Sequence, residues 1–333
     1  ETWDVGRRRK NTGRELIGMG SADGDRKVER LVEVARMYYE QDRTQSEIAA
    51  HYGISRPMVS KLLKTARDTG IVTIRIQAPQ IRESGQASLM ELVGRKFGVY
   101  GGLVIPDGCG DHATNAAVAE AAIRFLEGLG EDHLGIGWGH IIGDVVKCME
   151  QKNRLVPLCT SVCPLIGNGG VGLKNYHSNE LVRAIAEHSG ARPDFIYSPA
   201  SVLSEQELRL MKSLDNYHEV YRSWEKLDIA LVNIGNFPST PDFASEARYG
   251  DRLARQTAVG RILNYYIDVE GHVIRSETDY AIQIPLELLA KTRYAVGICS
   301  ANTSPKALRG ALKSGYINHI LAPEHVIREM LEQ

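Results

Sequence analysis

The sequence predicts an α/β protein in two parts: a small three-helix unit containing a helix-turn-helix, then a larger unit built on a mainly parallel sheet. Three observations predict it. Apolar residues recur at three- and four-residue steps through Val28, Leu31, Val34, Ala35 and Tyr38. Between Thr44 and Ala66 a helix start, a turn glycine and a second helix start follow at close intervals. Beyond Val99, short apolar runs alternate with longer amphipathic stretches, as β/α units do.

Composition narrows the classes. At 333 residues the chain exceeds what one mid-sized domain needs, and 43% hydrophobic with 24% charged residues is ordinary for a globular protein. No stretch approaches the roughly 18 apolar residues of a membrane span. The basic run Arg7 to Lys10 has no apolar segment behind it, so no secretory signal and a cytoplasmic location are expected. A formal net charge of −1 excludes a protein coated in Lys and Arg and leaves room only for a local nucleic-acid patch. Five cysteines without C-x-x-C spacing read as reduced thiols, so neither metal nor cofactor is expected.

Expected boundaries follow: a basic arm over 1–25, a helix-turn-helix unit over 26–78, a linking and oligomerisation helix over 79–98, and an effector unit over 99–333. The first helix runs from Arg26 to near Gln41. Thr44-Gln45-Ser46-Glu47 then has the form of a capping box, in which hydroxyl and carboxylate satisfy each other's backbone amides. Gly53 ends that second helix by taking a left-handed conformation. Ser55 is placed to cap a third helix reaching about Thr69, with Pro57 in its first turn and Val59, Leu62, Leu63 and Ala66 as its inner stripe.

Opposite that stripe stand Ser55, Arg56, Ser60, Lys61, Lys64 and Arg67, a face suited to phosphates and base edges. Recognition helices enter the major groove by their N-terminal turns, so Arg56, Met58, Ser60 and Lys61 are expected at the bases. Thr44, Gln45, Lys64 and Arg67 are expected at the backbone of double-stranded DNA. Residues 71–76 alternate as a short strand that Pro79 closes, and Leu89, Leu92, Val93 and Phe97 mark the linking helix.

In the larger unit, strands are expected at Gly102 to Ile105, Leu134 to Ile136, Phe195 to Tyr197, Ile229 to Ile234, Tyr294 to Ile298 and Ile317 to Leu321, giving a Rossmann-like sheet. A hairpin around Glu270-Gly271 is expected within Val259 to Ile274. Ligands of such sheets settle at the carboxyl ends of strands. Four loops there draw attention: Gly135 to His140, Gly167 to Gly170, Asn233 to Asn236, and Ser300 to Lys306, where Ser304 and Pro305 start a helix.

These residues give the chain a resemblance to the SorC family of transcription regulators. Its N-terminal markers are the run from Tyr38 to Ala49, then Gly53-Ile54-Ser55-Arg56 and Val59-Ser60-Lys61-Leu62-Leu63. Its later markers are Gly135 to Gly139, Ser178 to Val182, Ser198-Pro199-Ala200, Ala258-Val259-Gly260 with Asp268 and Gly271, and Lys306. The resemblance implies a fold similar to sugar-phosphate isomerases, used for sensing. It implies a homo-oligomer, a dimer of dimers, whose operator binding is controlled by a small sugar, polyol or sugar phosphate.

It also implies that Gly137, Trp138, Gly139 and His140, the loop Ile166, Gly167 and Asn168, and Asp268 and Lys306 surround that effector, with Asn236 at the same sheet edge. Where the family carries a hydroxyl this chain has His140, where it carries an acid this chain has Arg261, and Ser300, Ala301 and Asn302 replace a glycine pair. Arg261 favours an anionic ligand, because a guanidinium pairs with carboxylate or phosphate. The alternative is an isomerase- or lyase-like enzyme with an accessory helical domain. Asp107, Asp111, Asp144 and Asp268 form no compact catalytic set, and Cys109 near His112 is composition without geometry. No catalytic residue is therefore expected.

Overall fold

The computed structural model describes residues 22–41, 43–72, 81–152, 155–170, 172, 174–238 and 248–333. Of the expected arm over 1–25, residues 1–21 lie outside them, while 22–25 already belong to the first helix; of the expected strand at 71–76, residues 73–76 lie outside them and 71–72 are not strand, and the boundary at 78–79 also lies outside. The chain divides into two compact units, Glu1–Pro79 and Gln80–Gln333, each described by itself.

The first unit holds α1 (Ala22–Tyr39), α2 (Gln45–Tyr52) and α3 (Arg56–Asp68). Val34, Met37, Ile48, Ala49, Val59 and Leu63 close its core, and Tyr38, Tyr39, Tyr52, Ile54 and Leu62 pack around them. Val28, expected on the inner stripe of α1, is exposed because that stripe meets its neighbours only from Leu31 onward. The capping box forms: the Thr44 amide donates to Glu47 Oε2 at 2.8 Å and the Glu47 amide to Thr44 Oγ1 at 3.3 Å. Gly53 sits at φ 60°, ψ 34°, and its amide meets the carbonyls of Ala49 and Ala50, so the chain turns where the sequence placed the turn. Tyr52 ties α2 to α1 by donating to Glu33 Oε2 at 2.8 Å.

The second unit opens with α4 (Ile81–Phe97), whose Val93 is buried in the α/β core with Leu89, Met90 and Phe97 packed against it. The expected linking helix is thus anchored along β1 (Gly101–Ile105). The chain continues through α5 (Asp111–Leu129), β2 (His133–Ile136), α6 (His140–Glu150), β3 (Ser161–Pro164), α7 (Ser178–Ser189) and β4 (Arg192–Pro193). Then come α8 (Glu205–Lys212), α9 (Asp215–Trp224), β5 (Ile229–Asn236), α10 (Arg252–Arg255), β6 (Gly260–Ile262), β7 (Tyr265–Ile267) and β8 (Val273–Ile274). It ends with α11 (Leu286–Lys291), β9 (Tyr294–Ile298), α12 (Pro305–Lys313), β10 (His319–Pro323) and α13 (Glu324–Glu332).

The parallel sheet has the order β1-β10-β9-β5-β2-β3-β4. From β2 the chain steps outward to β3 and β4, then returns to β5 on the other side of β2 and steps away through β9 and β10. The direction therefore reverses between β2 and β5, and a crevice opens there beyond the strand ends. An antiparallel ribbon of β6, β7 and β8 hangs from the end of β5, with Asn236 opposite Gly260. Tyr249, Leu253, Tyr266 and Ile274 give this ribbon a small core of its own.

Three sequence expectations change. Phe195 to Tyr197 is not a strand: its backbone is hydrogen-bonded by the side-chain amides of Asn168, Asn179 and Asn216 instead of by a neighbouring strand. The strand on that side is β3, in the run holding Cys163, which pairs with β2 from Ser161 to Pro164. The ribbon folds twice, because Leu263 and Asn264 turn β6 into β7 before Gly271 turns the chain again.

Candidate DNA-binding and effector sites

On α3 the stripe Val59, Leu63 and Ala66 is buried, while Ser55, Arg56, Met58, Ser60, Lys61, Lys64 and Arg67 are exposed. Ser55 occupies the cap position with extended backbone, yet its side chain makes no cap hydrogen bond. Thr44 is the reverse case: its hydroxyl accepts from the Glu47 amide and donates to Glu47 Oε2 at 2.8 Å, so it builds the helix start. The Thr44 amide and hydroxyl together hold the Glu47 carboxyl below its usual range.

Beside Thr44 lies a concave cleft of about 540 Å³ lined by Tyr38, Tyr39, Arg43, Thr44, Gln45, Ser46 and Arg56. Arg43 was missed in the sequence because it precedes the capping box instead of lying on a helix face. The cleft combines two guanidinium groups with the N-terminus of α2, a composition that suits a DNA phosphate.

In the α/β unit the loops meet at the crevice between β2 and β5. Gly137 donates its amide to Leu231 O at 2.9 Å and Gly139 donates to Asn175 O at 2.8 Å. Gly139 has φ 125°, and a Cβ there would stand 2.8 Å from Asn233 Nδ2, so only glycine opens α6 in this way. Trp138 and His140 each set a ring 5.7 Å from Tyr176, edge to face. Arg261 reaches the same place: its side chain lies against Gly235, and its charge acts on the Tyr176 phenol, which burial pushes above its usual value. Leu263, held at φ 53°, packs over Gly137. A non-glycine residue in that conformation costs on the order of 1 kcal/mol, which the buried position of Leu263 offsets.

The structure thus brings together Gly137, Trp138, Gly139, His140 and Arg261, and adds Asn175, Tyr176 and Leu263. Those three gave no sequence signal, since a three-residue turn and a leucine at positive φ have no pattern to read. Ile166 is fully buried, and Gly167 lies so close to Pro199 that a Cβ would meet its carbonyl at 2.2 Å. Asn168 uses both ends of its side chain on the fold, donating to Ile196 O at 3.0 Å and accepting from the Asn179 amide at 3.2 Å.

Asn236 likewise donates to Asn302 O at 2.8 Å and accepts from the Ser304 amide at 2.7 Å, fixing the loop that leads into α12. Lys306 is exposed in the first turn of that helix, whose cap residue Ser304 makes no side-chain cap bond. Asp268 is not directed to the crevice. Its carboxylate accepts from the amides of Glu270 and His272 and from the His272 ring, and its carbonyl backs onto Gly310, one turn beyond Lys306. It shapes the second turn of the ribbon.

Among the described residues, no group of three or more His, Cys, Asp or Glu side chains is placed to hold a metal, and no helix is long and apolar enough to cross a membrane. Asp144 lines a small cleft with His112, Lys147 and Cys148. Burial and the hydrogen bond to Glu120 push the Cys148 thiol up to about 11, which keeps it protonated and a poor nucleophile.

Two units of this kind define a transcription regulator, with a helix-turn-helix for DNA and an α/β domain for a small molecule. Residues 82–332 match the sugar-binding domain family and residues 29–69 match sigma-70 region 4. The chain belongs to that sugar-binding family and is a SorC-type regulator. It is 29% identical over 315 residues to the sorbitol operon regulator of Klebsiella pneumoniae, covering 91% of this chain and 97% of that protein. It is 26% identical over 319 residues to the deoxyribonucleoside regulator of Bacillus subtilis, covering 92% and 99%. The crystal structure of full-length SorC from Klebsiella pneumoniae matches with a TM-score of 0.71 at 26% identity, over 91% of this chain and 98% of that one. These relatives are regulators and not enzymes.

Proposed function

We propose that this chain controls a carbohydrate catabolic operon by releasing or engaging operator DNA when a phosphorylated sugar or polyol binds the crevice between β2 and β5. Arg56, Met58, Ser60 and Lys61 read base edges; Arg43, Gln45, Lys64 and Arg67 hold phosphates, and Ser55 adds a hydroxyl at the groove edge. The glycine loop Gly137 to His140, Arg261 and the loop from Ser300 to Lys306 receive the effector, with Asn168 and Asn236 fixing the walls. The protein works in the cytoplasm, on the nucleoid when bound, as a dimer of dimers that grips paired half-sites.

The observation that carries this reading is the cluster of Arg261, Trp138, His140 and Tyr176 at the point where the sheet changes direction. A guanidinium and a helix start supply charge for an anionic group, and the aromatic rings supply faces for a sugar ring. Fluorescence anisotropy on DNA upstream of the regulated operon, titrated with a panel of sugar phosphates and free sugars, tests it. One phosphorylated compound should change operator affinity, and operator DNA must change that compound's affinity by the same factor. A panel that leaves operator affinity untouched, with binding lost for Arg56→Ala all the same, refutes the effector half of the reading.

A further inference from the structure

We propose that His325 is a positioning residue for the effector: as an imidazolium it clamps the Ser300 to Ser304 loop, and effector affinity falls when the ring gives up its proton. This rests on the reading above, in which that loop and Lys306 form one wall of the effector site.

The geometry is unusual for a histidine. Nδ1 lies 2.5 Å from Asp107 Oδ1 and Nε2 lies 2.9 Å from the Ala301 carbonyl, while the backbone amide of His325 donates to Asp107 Oδ2 at 3.0 Å. A carboxylate and a carbonyl only accept. Neutral imidazole carries one N–H, so one of the two ring contacts would set a lone pair against a lone pair; the imidazolium satisfies both. One proton therefore joins three segments: the loop after β1, the start of α13, and the loop after β9.

Other hydrogen bonds hold the rest of that loop. The Ala301 amide donates to Asn115 Oδ1 at 2.7 Å, Asn236 takes Asn302 and Ser304, and the Ser300 amide donates to Thr303 Oγ1 at 2.9 Å. Lys306 follows at once. A shift of Ala301 therefore moves the start of α12 and the ammonium it carries.

The surrounding charges favour the cation. Burial opposes it, but the hydrogen bonds to Asp107 and Ala301 and the negative charges of Asp107 and Glu329 outweigh burial and raise the ring above its ordinary 6.5. Of the other charges on the packed elements, Glu324 pairs with Arg328, Lys313 of α12 with Glu270 and Arg95 of α4 with Glu91, and Lys96 donates to Leu331 O. Lys306 and Arg309 are the remaining cations of α12. Because the folded value is raised, the clamp is complete below the ordinary imidazole range and is lost as pH rises through the raised value.

The test is hydrogen exchange of the full-length chain at about pH 6 and about pH 9, corrected for intrinsic rates, with affinity for inorganic phosphate and for ribose 5-phosphate measured in parallel. In the wild type, exchange at Ala301 and Ser304 should quicken about tenfold at the higher pH, as expected for losing one charge-assisted hydrogen bond. Affinity for both probes should fall with it. His325→Gln should show fast exchange and weak binding at both pH values. Asp107→Asn, which removes the charge that favours the cation, should move the transition to lower pH, and a merely structural contact would not do this. Equal exchange at both pH values in the wild type, or a His325→Gln profile identical to it, overturns the clamp. A clamp that opens as described while probe affinity stays constant overturns the link to the effector, and binding of neither probe at both pH values overturns the site assignment on which it rests.

Discussion

The two units present their expected ligand residues in opposite ways. On α3 the polar side chains point into solvent with few partners, and only the inner stripe of Val59, Leu63 and Ala66 belongs to the fold. In the α/β unit, Asn168, Asn236 and Asp268 already carry two or more hydrogen bonds to their own chain. The difference follows from the size of the ligand. A duplex meets a protein surface and reads what that surface displays, whereas a small molecule enters a crevice whose shape must first be built. Residue type is therefore direct evidence at the DNA face and indirect evidence at the sheet edge, where a polar residue is as often a builder as a ligand.

The largest expected effect tests the displayed face. Arg56→Ala with Lys61→Ala should weaken operator binding by about 3 kcal/mol, more than a hundredfold, since each base contact contributes about 1–3 kcal/mol. The thermal midpoint should stay where it is. Wild-type operator affinity in that variant would break the contrast at its strong end. Nearly as large is Leu63→Ala, which removes a side chain 2% exposed from a small core. It should cost about 3 kcal/mol, enough to melt the helical unit in a calorimetric scan, while sugar-phosphate binding persists in the other unit.

The builder residues give smaller effects. Asn236→Ala frees the loop before α12 and should lower effector affinity about tenfold by titration calorimetry, with a stability loss of about 1 kcal/mol. Asp268 gives the smallest. Burial tends to raise its carboxyl, but hydrogen bonds from the His272 amide and ring and the Glu270 amide hold it below the ordinary 3.8. The stability it contributes is present above that ordinary value and is lost as pH falls through the lowered one. Asp268→Asn should remove this acid-limb dependence from a pH series of melts and leave effector affinity unchanged. A large loss of effector affinity would make Asp268 a ligand after all.

The helical unit was legible because its cues are local. Thr44, Glu47, Gly53 and Ser55 each act within four residues, and periodicity supplied the rest. The sheet was legible wherever a strand is buried on both faces, as at Ile229 to Ile234 and Tyr294 to Ile298. Phe195 to Tyr197 has the composition of a strand, and no local rule reveals that asparagines 17 to 28 residues away supply its hydrogen bonds. Asn175, Tyr176 and Leu263 escaped for a related reason, since each meets the glycine loop from far along the chain, whereas Arg43 escaped because it precedes the capping box. The glycine loops do lie at the sheet edge beside β2 and β5. They did not reveal that Asp268 folds back on its own turn.

Those asparagines have a further consequence for how copies of this chain meet one another. A sheet whose last strand, β4, is two residues long would continue outward into Phe195 to Tyr197 and offer bare amides and carbonyls to any passing peptide. The Ile196 and Tyr197 amides and the Phe195 and Ile196 carbonyls are instead sealed by carboxamide groups. With those groups occupied, this stretch of the rim does not offer them to a foreign strand.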